Sequence, residues 1–418
     1  MDAVVKKSRI CGGIVIPPSK SQAHRVLIAS FLAGANYDFG LVGDDIEATA
    51  CCLDALNNLF VGNTNRAVLD AHESGSTLRF LLPIVCALDV DAEFVGRGRL
   101  PKRPIKDLLD VLRGHGANII GDELPLKIVS SGAETCLAKK GLTAGEYRIS
   151  GAVSSQYITG LLFALPLLDG DSKIVVEGEL VSKAYVDMTL DVLARFGIEI
   201  EKTKYGYSVK GGQKYKKAEA DIEGDWSSAC FPLALGLLTG EVRASGLDIN
   251  SLQADRVFLD VAKRMGGDVS LGNGDIVVKK SNLKGIDFDA TDCPDIVPIL
   301  SVLCAFASGK SKIFGVDRLK AKESDRLAAT VNMLDKINVR TAYADNTLEI
   351  VGLGANEIEN VEEIEIDGCA DHRIAMSGVV IGLKVGNVRV DGVECMAKSY
   401  PSFLDDIVKI GADVRLKK

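Results

Sequence analysis

The sequence is poor in the residues and spacings that form metal sites. Four histidines are scattered over 418 residues, and the ten cysteines show no CxxC spacing. No zinc motif of the usual kind is therefore present, and we expect no bound metal. Cys52, Cys86, Cys230 and Cys304 stand among apolar residues. We expect them to be small buried side chains in a reducing compartment.

Long apolar runs and an excess of positive charge are also missing. The longest apolar stretches, 158–168 and 296–307, are too short to span a bilayer. Residues 1–13 lack the apolar core of a signal peptide. The net charge of −8 disfavours nucleic acid as a partner. We therefore expect a cytoplasmic protein that binds neither membranes nor nucleic acids, and we take a monomer as its expected state.

Two nucleotide-binding motifs are incomplete. Gly309-Lys310-Ser311 is not a phosphate loop, because Cys304 stands where the earlier glycine is required. Gly96 and Gly98 have no third glycine at the spacing of a dinucleotide fingerprint. The sequence therefore predicts no nucleotide cofactor.

The chain is too long for one ordinary core, and its predicted helices show an internal repeat. A length of 418 residues favours two domains. One kind of predicted helix is apolar on nearly all faces, which is typical of a buried helix. It occurs six times, at 21–34, 75–88, 154–168, 227–240, 295–309 and 372–383.

A second kind of predicted helix alternates with the first. It carries a single apolar stripe, as at Leu327, Val331 and Leu334, and a strand follows it. Several copies end at glycine, the usual helix exit. The alternation predicts an α/β protein built from six repeated units, three in each domain. The second kind occurs at 45–61, 104–120, 185–200, 254–269, 323–339 and 400–414.

The predicted buried helices begin with polar and often cationic residues. Helix N-termini carry unpaired N–H groups and the positive end of the helix dipole, so they favour anions. Simple capping explains Ser and Asp at these positions. It does not explain Lys20, Arg25, Arg79 and Arg373, because a buried cation is costly unless an anion meets it. We interpret these helix starts as parts of an anion-binding site.

Basic residues also lie on connecting segments, where a less specific explanation competes. Arg97 and Lys102 fit a solvated charge run as well as a site. Residues 320–326 fit surface charge pairs at helical spacing, which contribute little energy. Lys398, considered alone, is typical of a solvent-facing lysine. The residues by themselves leave these alternatives open.

Short motifs occur in a fixed order from Ser19 to Pro401. In that order they resemble the signatures of the EPSP synthase family of enolpyruvyl transferases. Each motif is weak alone, whereas the ordered set covers nearly the whole chain and is specific. The motifs are Pro18-Ser19-Lys20-Ser21 with Arg25, Gly75-Ser76 with Arg79, Arg99 with Arg103-Pro104, Ser154-Ser155-Gln156, Ser182-Lys183 with Tyr185, Glu223-Gly224-Asp225, Pro294-Asp295, Lys322-Glu323-Ser324-Asp325-Arg326, Asp371-His372-Arg373, and Lys398 with Tyr400-Pro401.

The resemblance implies a fold and a domain division. The fold is a two-domain inside-out α/β barrel of six βαβαββ units, three per domain, with two crossover strands. One domain is continuous, at 19–224, and the other is discontinuous, at 1–18 plus 225–418. The resemblance places the active site in the cleft between the two domains.

The resemblance also implies a reaction and its ligands. The enolpyruvyl group of phosphoenolpyruvate is transferred to the 5-hydroxyl of 3-phosphoshikimate through a tetrahedral adduct that loses phosphate. The reaction belongs to aromatic amino-acid biosynthesis and uses no cofactor. Two phosphates and two carboxylates require a site rich in Lys and Arg. The implied ligands of 3-phosphoshikimate are Lys20, Ser21, Arg25, Ser154, Ser155, Gln156, Ser182, Asp295 and Lys322. Those of phosphoenolpyruvate are Lys20, Gly75, Arg99, Gln156, Arg326, Arg373 and Lys398.

Two carboxylates are the implied proton-transfer pair. Addition needs a base near the 5-hydroxyl and an acid near the methylene carbon of phosphoenolpyruvate. We assign Asp295 as the base and Glu323 as the acid, with Lys20 also in the catalytic group. Lys20 or Lys398 is the alternative proton donor. A helix cap is the alternative role of Asp295.

Three positions depart from the commonest family pattern. Glu73 stands where Asn is frequent, and Phe80 stands where Pro is frequent. Arg318 falls near a frequent Asn, so the phosphate contact of that Asn is not carried over. The herbicide glyphosate occupies the phosphoenolpyruvate site of the family. Gly75 would admit it here, whereas Phe80 leaves the response to it open.

Two other functions remain as alternatives. UDP-N-acetylglucosamine 1-carboxyvinyltransferases usually carry a reactive Cys where this chain has Gly98-Arg99-Leu100, and a Lys-Asn pair where it has Lys20-Ser21. Both features are absent, which counts against that activity. A catalytically inactive anion-binding scaffold of the same fold is the second alternative. The presence of Asp295 and Glu323 argues against it.

Overall fold

The chain forms two compact units in the computed structural model. Unit 1 consists of Met1–Ser19 and Glu223–Lys418, and unit 2 consists of Lys20–Ile222. The structure describes residues 1–35, 43–132, 141–219, 221–272, 274–354 and 363–417.

In the described ranges, six helices belong to each unit. The described residues form the helices α1 Lys20–Leu32, α2 Asp44–Phe60, α3 Gly75–Leu88, α4 Lys106–Gly114, α5 Ser155–Ala164, α6 Lys183–Arg195, α7 Trp226–Thr239, α8 Phe258–Arg264, α9 Val297–Phe306, α10 Arg326–Asp335, α11 His372–Val385 and α12 Phe403–Lys409. Short 3₁₀ turns precede α8 at Ala254–Val257 and α9 at Pro294–Ile296.

Short strands accompany the helices. They are β1 Asp2–Lys6, β2 Cys11–Val15, β3 Ala67–Asp70, β4 Ala92–Val95, β5 Ile119–Ile120, β6 Leu126–Ile128, β7 Glu146–Ser150, β8 Ser172–Glu177, β9 Ile200–Thr203, β10 Gly206–Val209, β11 Glu241–Ser245, β12 Asp268–Gly272, β13 Asp275–Lys279, β14 Asp287–Asp289, β15 Ser308–Phe314, β16 Arg340–Ala344, β17 Thr347–Leu353, β18 Ile364–Asp367, β19 Val388–Asp391 and β20 Asp413–Lys417.

Five four-stranded sheets in the described ranges share one topology. Each has one parallel pair at an edge, followed by two antiparallel pairings. Three sheets are built from strands consecutive in the chain, in the orders β3-β4-β6-β5, β7-β8-β10-β9 and β14-β15-β17-β16. The other two, β18-β19-β1-β20 and β12-β13-β11-β2, each take one strand from the start of the chain. The first fifteen residues therefore complete two sheets of unit 1.

The chain leaves and re-enters unit 1 through two adjacent segments. Pro18 forms an antiparallel bridge with Gly224, and the Ser19 amide donates to the Glu223 carbonyl at 2.8 Å. Gly224 has no room for a side chain, because a Cβ there would lie 2.5 Å from the Gly246 carbonyl oxygen.

The helices predicted to be apolar on all faces are buried. All fourteen residues of α7 and all ten residues of α9 are buried. α1, α3, α5 and α11 are buried along most of their length. One apolar core fills each unit. The predicted α/β repeat fold is confirmed. None of the helices in the described ranges is both long and apolar enough to cross a membrane.

The amphipathic helices end in one repeated hydrogen-bond pattern. After each of α2, α4, α6, α8, α10 and α12, an amide bonds back to the carbonyl five residues earlier, as from Ala117 to Leu112 and from Val339 to Leu334. The residue before that amide has a positive φ, which L side chains rarely adopt. It is glycine in five cases. In the sixth it is Asn338, and Asn tolerates this conformation better than most residues.

Replacement of Gly62, the positive-φ residue after α2, tests the role of this hydrogen-bond pattern at the helix end. Its φ is +76°, and a Cβ there would touch nothing within 4 Å, so only backbone strain opposes a side chain. We expect Gly62→Ala to lower the free energy of unfolding of unit 2 by about 1 kcal/mol. Gly114→Ala is the control, because Gly114 is helical and equally unobstructed. It should raise that free energy by up to about 1 kcal/mol. Urea denaturation that gave the same sign for both variants would contradict this account.

Candidate active site

Arg326, the first residue of α10, is the centre of an ionic cluster in unit 1. Its side chain is only 1% exposed. Nε and Nη2 donate to the two oxygens of Asp371 at 2.9 and 3.2 Å. Nη1 donates to Oδ1 of Asp295 at 2.8 Å, and Nη2 also donates to Oε2 of Glu323 at 2.6 Å. Three carboxylates therefore surround one buried guanidinium, and their charges raise the pKa of Arg326 above its usual value although burial acts to lower it.

Helix capping fixes the orientation of Asp371. It is the N-cap of α11, and its Oδ1 accepts the Arg373 amide at 3.0 Å. The Ser324 hydroxyl donates to its Oδ2 at 3.0 Å. Because the carboxylate is held on both sides, it presents both oxygens to Arg326 in a bidentate arrangement.

Asp295 lies in the 3₁₀ turn that precedes α9 and contacts three cations. Its Oδ1 accepts from Lys322 at 3.2 Å and from Arg326, and its Oδ2 lies 3.4 Å from Nη2 of Arg373. Burial acts to raise the pKa of Asp295, but the charges of Arg373, Lys322 and Arg326 outweigh it and hold the pKa well below its usual range. Burial is also the main reason that the pKa of Lys322 is lowered.

Two further residues border this cluster. Nζ of the half-buried Lys398 donates to the Ala370 carbonyl at 3.0 Å, beside the start of α11. Asp255, in the turn Ala254–Val257, is 2% exposed. Burial and the neighbouring Asp295 raise the pKa of Asp255 to about 6, against the opposing effect of Arg373.

Unit 2 contains a buried cation with a different environment. Arg25 in α1 is 2% exposed. It donates to the Thr189 hydroxyl at 2.8 Å, to the Tyr185 carbonyl at 2.9 Å and to the Ser21 carbonyl, and it lies over the Phe80 ring. These partners are neutral. Burial therefore lowers the pKa of Arg25 to about 10, which is the shift expected of a desolvated cation that an anion would stabilise.

The other helix starts of unit 2 carry polar groups held by their neighbours. Lys20 begins α1 and forms an ion pair with Asp45 in the first turn of α2, at 2.8 Å. The Gln156 amide is fixed at both ends, because Oε1 accepts from Arg79 at 2.7 Å and Nε2 donates to Ser76 at 2.9 Å. Arg79 thus positions Gln156.

Serine residues stand at the starts of two helices of unit 2. Ser154 caps α5 by accepting the Gln156 amide, and the next residue, Ser155, is buried. Ser182, the N-cap of α6, has a φ of +54°, a strained conformation for a residue other than glycine. Such strain is often found at functional sites.

A side chain at Gly75 would displace two guanidinium groups that approach its backbone. A Cβ at Gly75 would lie 2.7 Å from Nη1 of Arg103 and 2.9 Å from Nη1 of Arg79. Arg99, between β4 and α4, is exposed. The described ranges contain no group of three or more His, Cys, Asp or Glu side chains that could hold a metal ion.

Comparison with known families assigns the chain. The sequence profile of the family described as EPSP synthase (3-phosphoshikimate 1-carboxyvinyltransferase) matches residues 4–407. The chain belongs to the EPSP synthase family. Relatives named 3-phosphoshikimate 1-carboxyvinyltransferase include one from Clostridium kluyveri, 36% identical over 98% of this chain and 97% of its own length. Another, from Clostridium novyi, is 37% identical over 97% of this chain and 96% of its own length.

Solved structures share the fold of this EPSP synthase family member. An EPSP synthase from Acinetobacter baumannii has a TM-score of 0.79 at 24% identity, with 99% of this chain and 100% of that chain covered. The enolpyruvyl transferase NikO from Streptomyces tendae has a TM-score of 0.76 at 16% identity, with 99% and 98% covered. The predicted family, fold class and transferase activity are confirmed.

The predicted site residues fall into two groups within the two units. Unit 1 brings Asp295, Lys322, Glu323, Arg326 and Arg373 together in one network of ion pairs. In unit 2, the residues predicted to be ligands lie at the starts of α1, α3, α5 and α6, apart from Arg99 in its loop. They are Lys20, Ser21, Arg25, Gly75, Arg99, Ser154, Ser155, Gln156 and Ser182.

Several acids and one arginine that the structure places among these groups carry no role predicted from the sequence. Asp371 forms an ion pair with Arg326, and Asp45 forms one with Lys20. Arg103 lies against Gly75. Asp371 and Arg103 stood inside recognised motifs, which was a usable signal. Asp45 and Asp255 stand outside any such motif, and their neighbours in the fold are distant in sequence. No sequence signal therefore indicated a role for them.

Loss of Asp371 tests the energetic role of the ionic cluster. Asp371→Ala leaves the buried Arg326 without its bidentate partner, so we expect the free energy of unfolding of unit 1 to fall by about 3–5 kcal/mol. Arg415, whose side chain is 71% exposed, pairs with Asp413 at 3.6 Å. Arg415→Ala is the control and should change that free energy by no more than about 0.5 kcal/mol. Similar losses in the two urea titrations would contradict the assignment.

The pKa of Asp255 predicts a pH dependence of stability. Its pKa in the folded protein, about 6, lies above the ordinary value of 3.8, so the folded state holds this proton more tightly. Its contribution to stability is present at pH 4 and is lost as the pH rises through 6. From pH 4 to pH 7, the wild type should lose about 2 kcal/mol relative to Asp255→Asn. Parallel stability curves for the two proteins over this range would disprove the shift.

Proposed function

We propose that the chain transfers the enolpyruvyl group of phosphoenolpyruvate to the 5-hydroxyl of 3-phosphoshikimate and releases phosphate. The observation that carries this proposal is the family match along residues 4–407, together with the clustered acids and cations of unit 1. The names of the Clostridium relatives support the same substrates.

The residues of unit 2 are proposed to bind mainly 3-phosphoshikimate. Arg25 supports this role, because it is a buried cation with neutral partners and a lowered pKa. Ser21, Ser154, Ser155 and Ser182 supply hydroxyl groups for the phosphate, carboxylate and ring hydroxyls. Further proposed ligands of 3-phosphoshikimate are Lys20, Gln156, Asp295 and Lys322.

Cations of both units are proposed to bind phosphoenolpyruvate. Arg326, Arg373 and Lys398 are the proposed ligands from unit 1, and guanidinium groups suit its phosphate and carboxylate. The proposed contributions of unit 2 are Lys20, Gly75, Arg99 and Gln156.

Asp295 and Glu323 are the proposed proton-transfer pair. In the ligand-free cluster Asp295 is a weak base, because three cations lower its pKa. The anionic groups of phosphoenolpyruvate would neutralise Arg326 and Arg373 and thereby raise the pKa of Asp295 towards that of a useful base. Glu323 is the proposed acid for the methylene carbon, with Lys20 or Lys398 as the alternative donor.

Release of inorganic phosphate tests the proposed reaction. We expect release when purified protein receives phosphoenolpyruvate together with 3-phosphoshikimate, and none with either compound alone. Release with UDP-N-acetylglucosamine in place of 3-phosphoshikimate would overturn the proposed acceptor. Absence of release with both acceptors would favour a binding scaffold.

Asp295→Asn tests the proposed base. Asn keeps an oxygen that can accept from Arg326 but cannot take a proton, so we expect kcat to fall by at least about a hundredfold while the protein remains folded. Asp413→Asn is the control, because Asp413 belongs to the edge strand β20 and is half exposed. Circular dichroism and steady-state kinetics are compared for both variants. Normal turnover by folded Asp295→Asn would remove Asp295 from the catalytic group.

A further inference from the structure

A cavity of about 670 Å³ lies in unit 1, where α7 and α11 end. Its other walls are the link between β1 and β2, the start of β11 and the end of β13. α11 carries Arg373 in its first turn and Lys384 in its last turn. At about 1.5 Å per residue, these two positions lie about 17 Å apart along the helix axis. The cavity is therefore separate from the ionic cluster at the helix starts.

The lining of this cavity is strongly cationic. It carries a net charge of +4, whereas the whole chain carries −8. The carboxylate in the lining lies 3.7 Å from one of the cations, as an ion pair between Glu241 and Lys279. The charged lining residues are Lys7, Arg9, Lys279, Lys280, Lys384 and Glu241.

Backbone contacts fix the segments that carry these cations. The Ser8 amide donates to the Leu383 carbonyl at 3.0 Å. The Glu241 amide donates to the Ile10 carbonyl at 2.9 Å. Gly240 has no room for a side chain, because a Cβ there would lie 1.8 Å from the Ile10 carbonyl oxygen. The secondary structure of unit 1 therefore forms the cavity, and no ligand is needed to shape it.

Compensation of helix dipoles explains one of the cations but not the others. Lys384 donates to the Leu238 carbonyl, near the end of α7, at 3.5 Å. A cation at this end of a helix is stabilising without any ligand. Arg9 and Lys280 lie outside the helices, and neither forms an ion pair with a carboxylate of the described ranges. Like charges that share one cavity repel each other, so an anion that enters it is attracted by each of them.

We propose that this cavity binds a small molecule with two or more phosphate groups. The inference does not depend on the proposed function. Cavities of about 300–1,000 Å³ are typical of small-molecule sites. One phosphate dianion would neutralise half of the lining charge, whereas two or more phosphate groups match it. The guanidinium of Arg9 presents a fork of N–H donors that fits phosphate oxygens, and the lysines add point charges.

Cys11 provides a direct measure of occupancy, because it is exposed and lines the cavity. Cys51, in α2 of unit 2, is also exposed and is the internal control. Tripolyphosphate is the probe, and iodoacetamide is a neutral alkylating reagent. In the full wild-type chain, saturating tripolyphosphate should slow alkylation of Cys11 by at least about fivefold and change that of Cys51 by less than about twofold. Peptide mass spectrometry measures both rates. Equal slowing of both thiols, or none at Cys11, would overturn the site.

A charge-matched pair of double variants tests which cations hold the probe. Arg9→Gln with Lys280→Gln removes two cavity cations. Lys336→Gln with Arg340→Gln removes two exposed cations of unit 1 that lie outside the cavity lining. The first double variant should need at least about tenfold more tripolyphosphate for half-maximal protection of Cys11, because charge-assisted hydrogen bonds are lost. The second should stay within about twofold of the wild type. Equal losses in both would indicate general attraction to surface charge and would overturn the proposal.

Comparison of anions tests the class of ligand. Inorganic phosphate and citrate replace tripolyphosphate in the alkylation assay on the wild type. We expect each to protect Cys11 at least about tenfold more weakly than tripolyphosphate, because each satisfies fewer of the cationic donors. Equal protection by inorganic phosphate would overturn the requirement for several phosphate groups. Equal protection by citrate would overturn the preference for phosphate.

Discussion

A buried guanidinium needs compensating charge, and much of unit 1 is arranged to meet that need for Arg326. Its three carboxylate partners come from separate segments: Asp295 before α9, Glu323 before α10, and Asp371 at the start of α11. Each partner stands at a helix start, where the backbone leaves the side chain free to turn inwards. One charge therefore fixes the relative positions of three helix starts.

The two units stabilise buried cations by different means. In unit 1, Arg326 and Arg373 face carboxylates, so the cluster is close to neutral without any ligand. In unit 2, Arg25 faces hydroxyl and carbonyl oxygens, and its charge stays poorly compensated. A dianionic ligand gains more from the second arrangement. The first arrangement suits chemistry in which carboxylates must exchange partners and protons.

In the repeated units, stability and function depend on different helix ends. The C-terminal ends of the amphipathic helices serve stability, and the N-terminal ends of the buried helices serve function. The C-terminal ends of the amphipathic helices repeat one hydrogen-bond closure, in which only Asn338 departs from glycine. The N-terminal ends of the buried helices differ from unit to unit, because each carries a different polar group. Such a repeat can keep one architecture while the helix starts acquire separate tasks, as Lys20, Gln156 and Asp371 show.

The sequence by itself determined the architecture and most of the candidate site. Apolar periodicity located the buried helices, and glycines located the C-terminal ends of the amphipathic helices. The ordered motifs identified the family. These are local signals, and local physics is enough to produce them. Cations in the first turns of apolar helices also indicated anion binding before any contact was known.

Only the tertiary structure decided which charges meet. Asp45 lies 25 residues from its partner Lys20, and Asp371 lies 45 residues from its partner Arg326. No spacing rule connects such pairs, because folding of the intervening chain sets their distance. The low pKa of Asp295 and the raised pKa of Asp255 follow from this placement. Two aspartates with identical side chains thus differ in charge behaviour, since one is surrounded by cations and the other by apolar burial and a like charge.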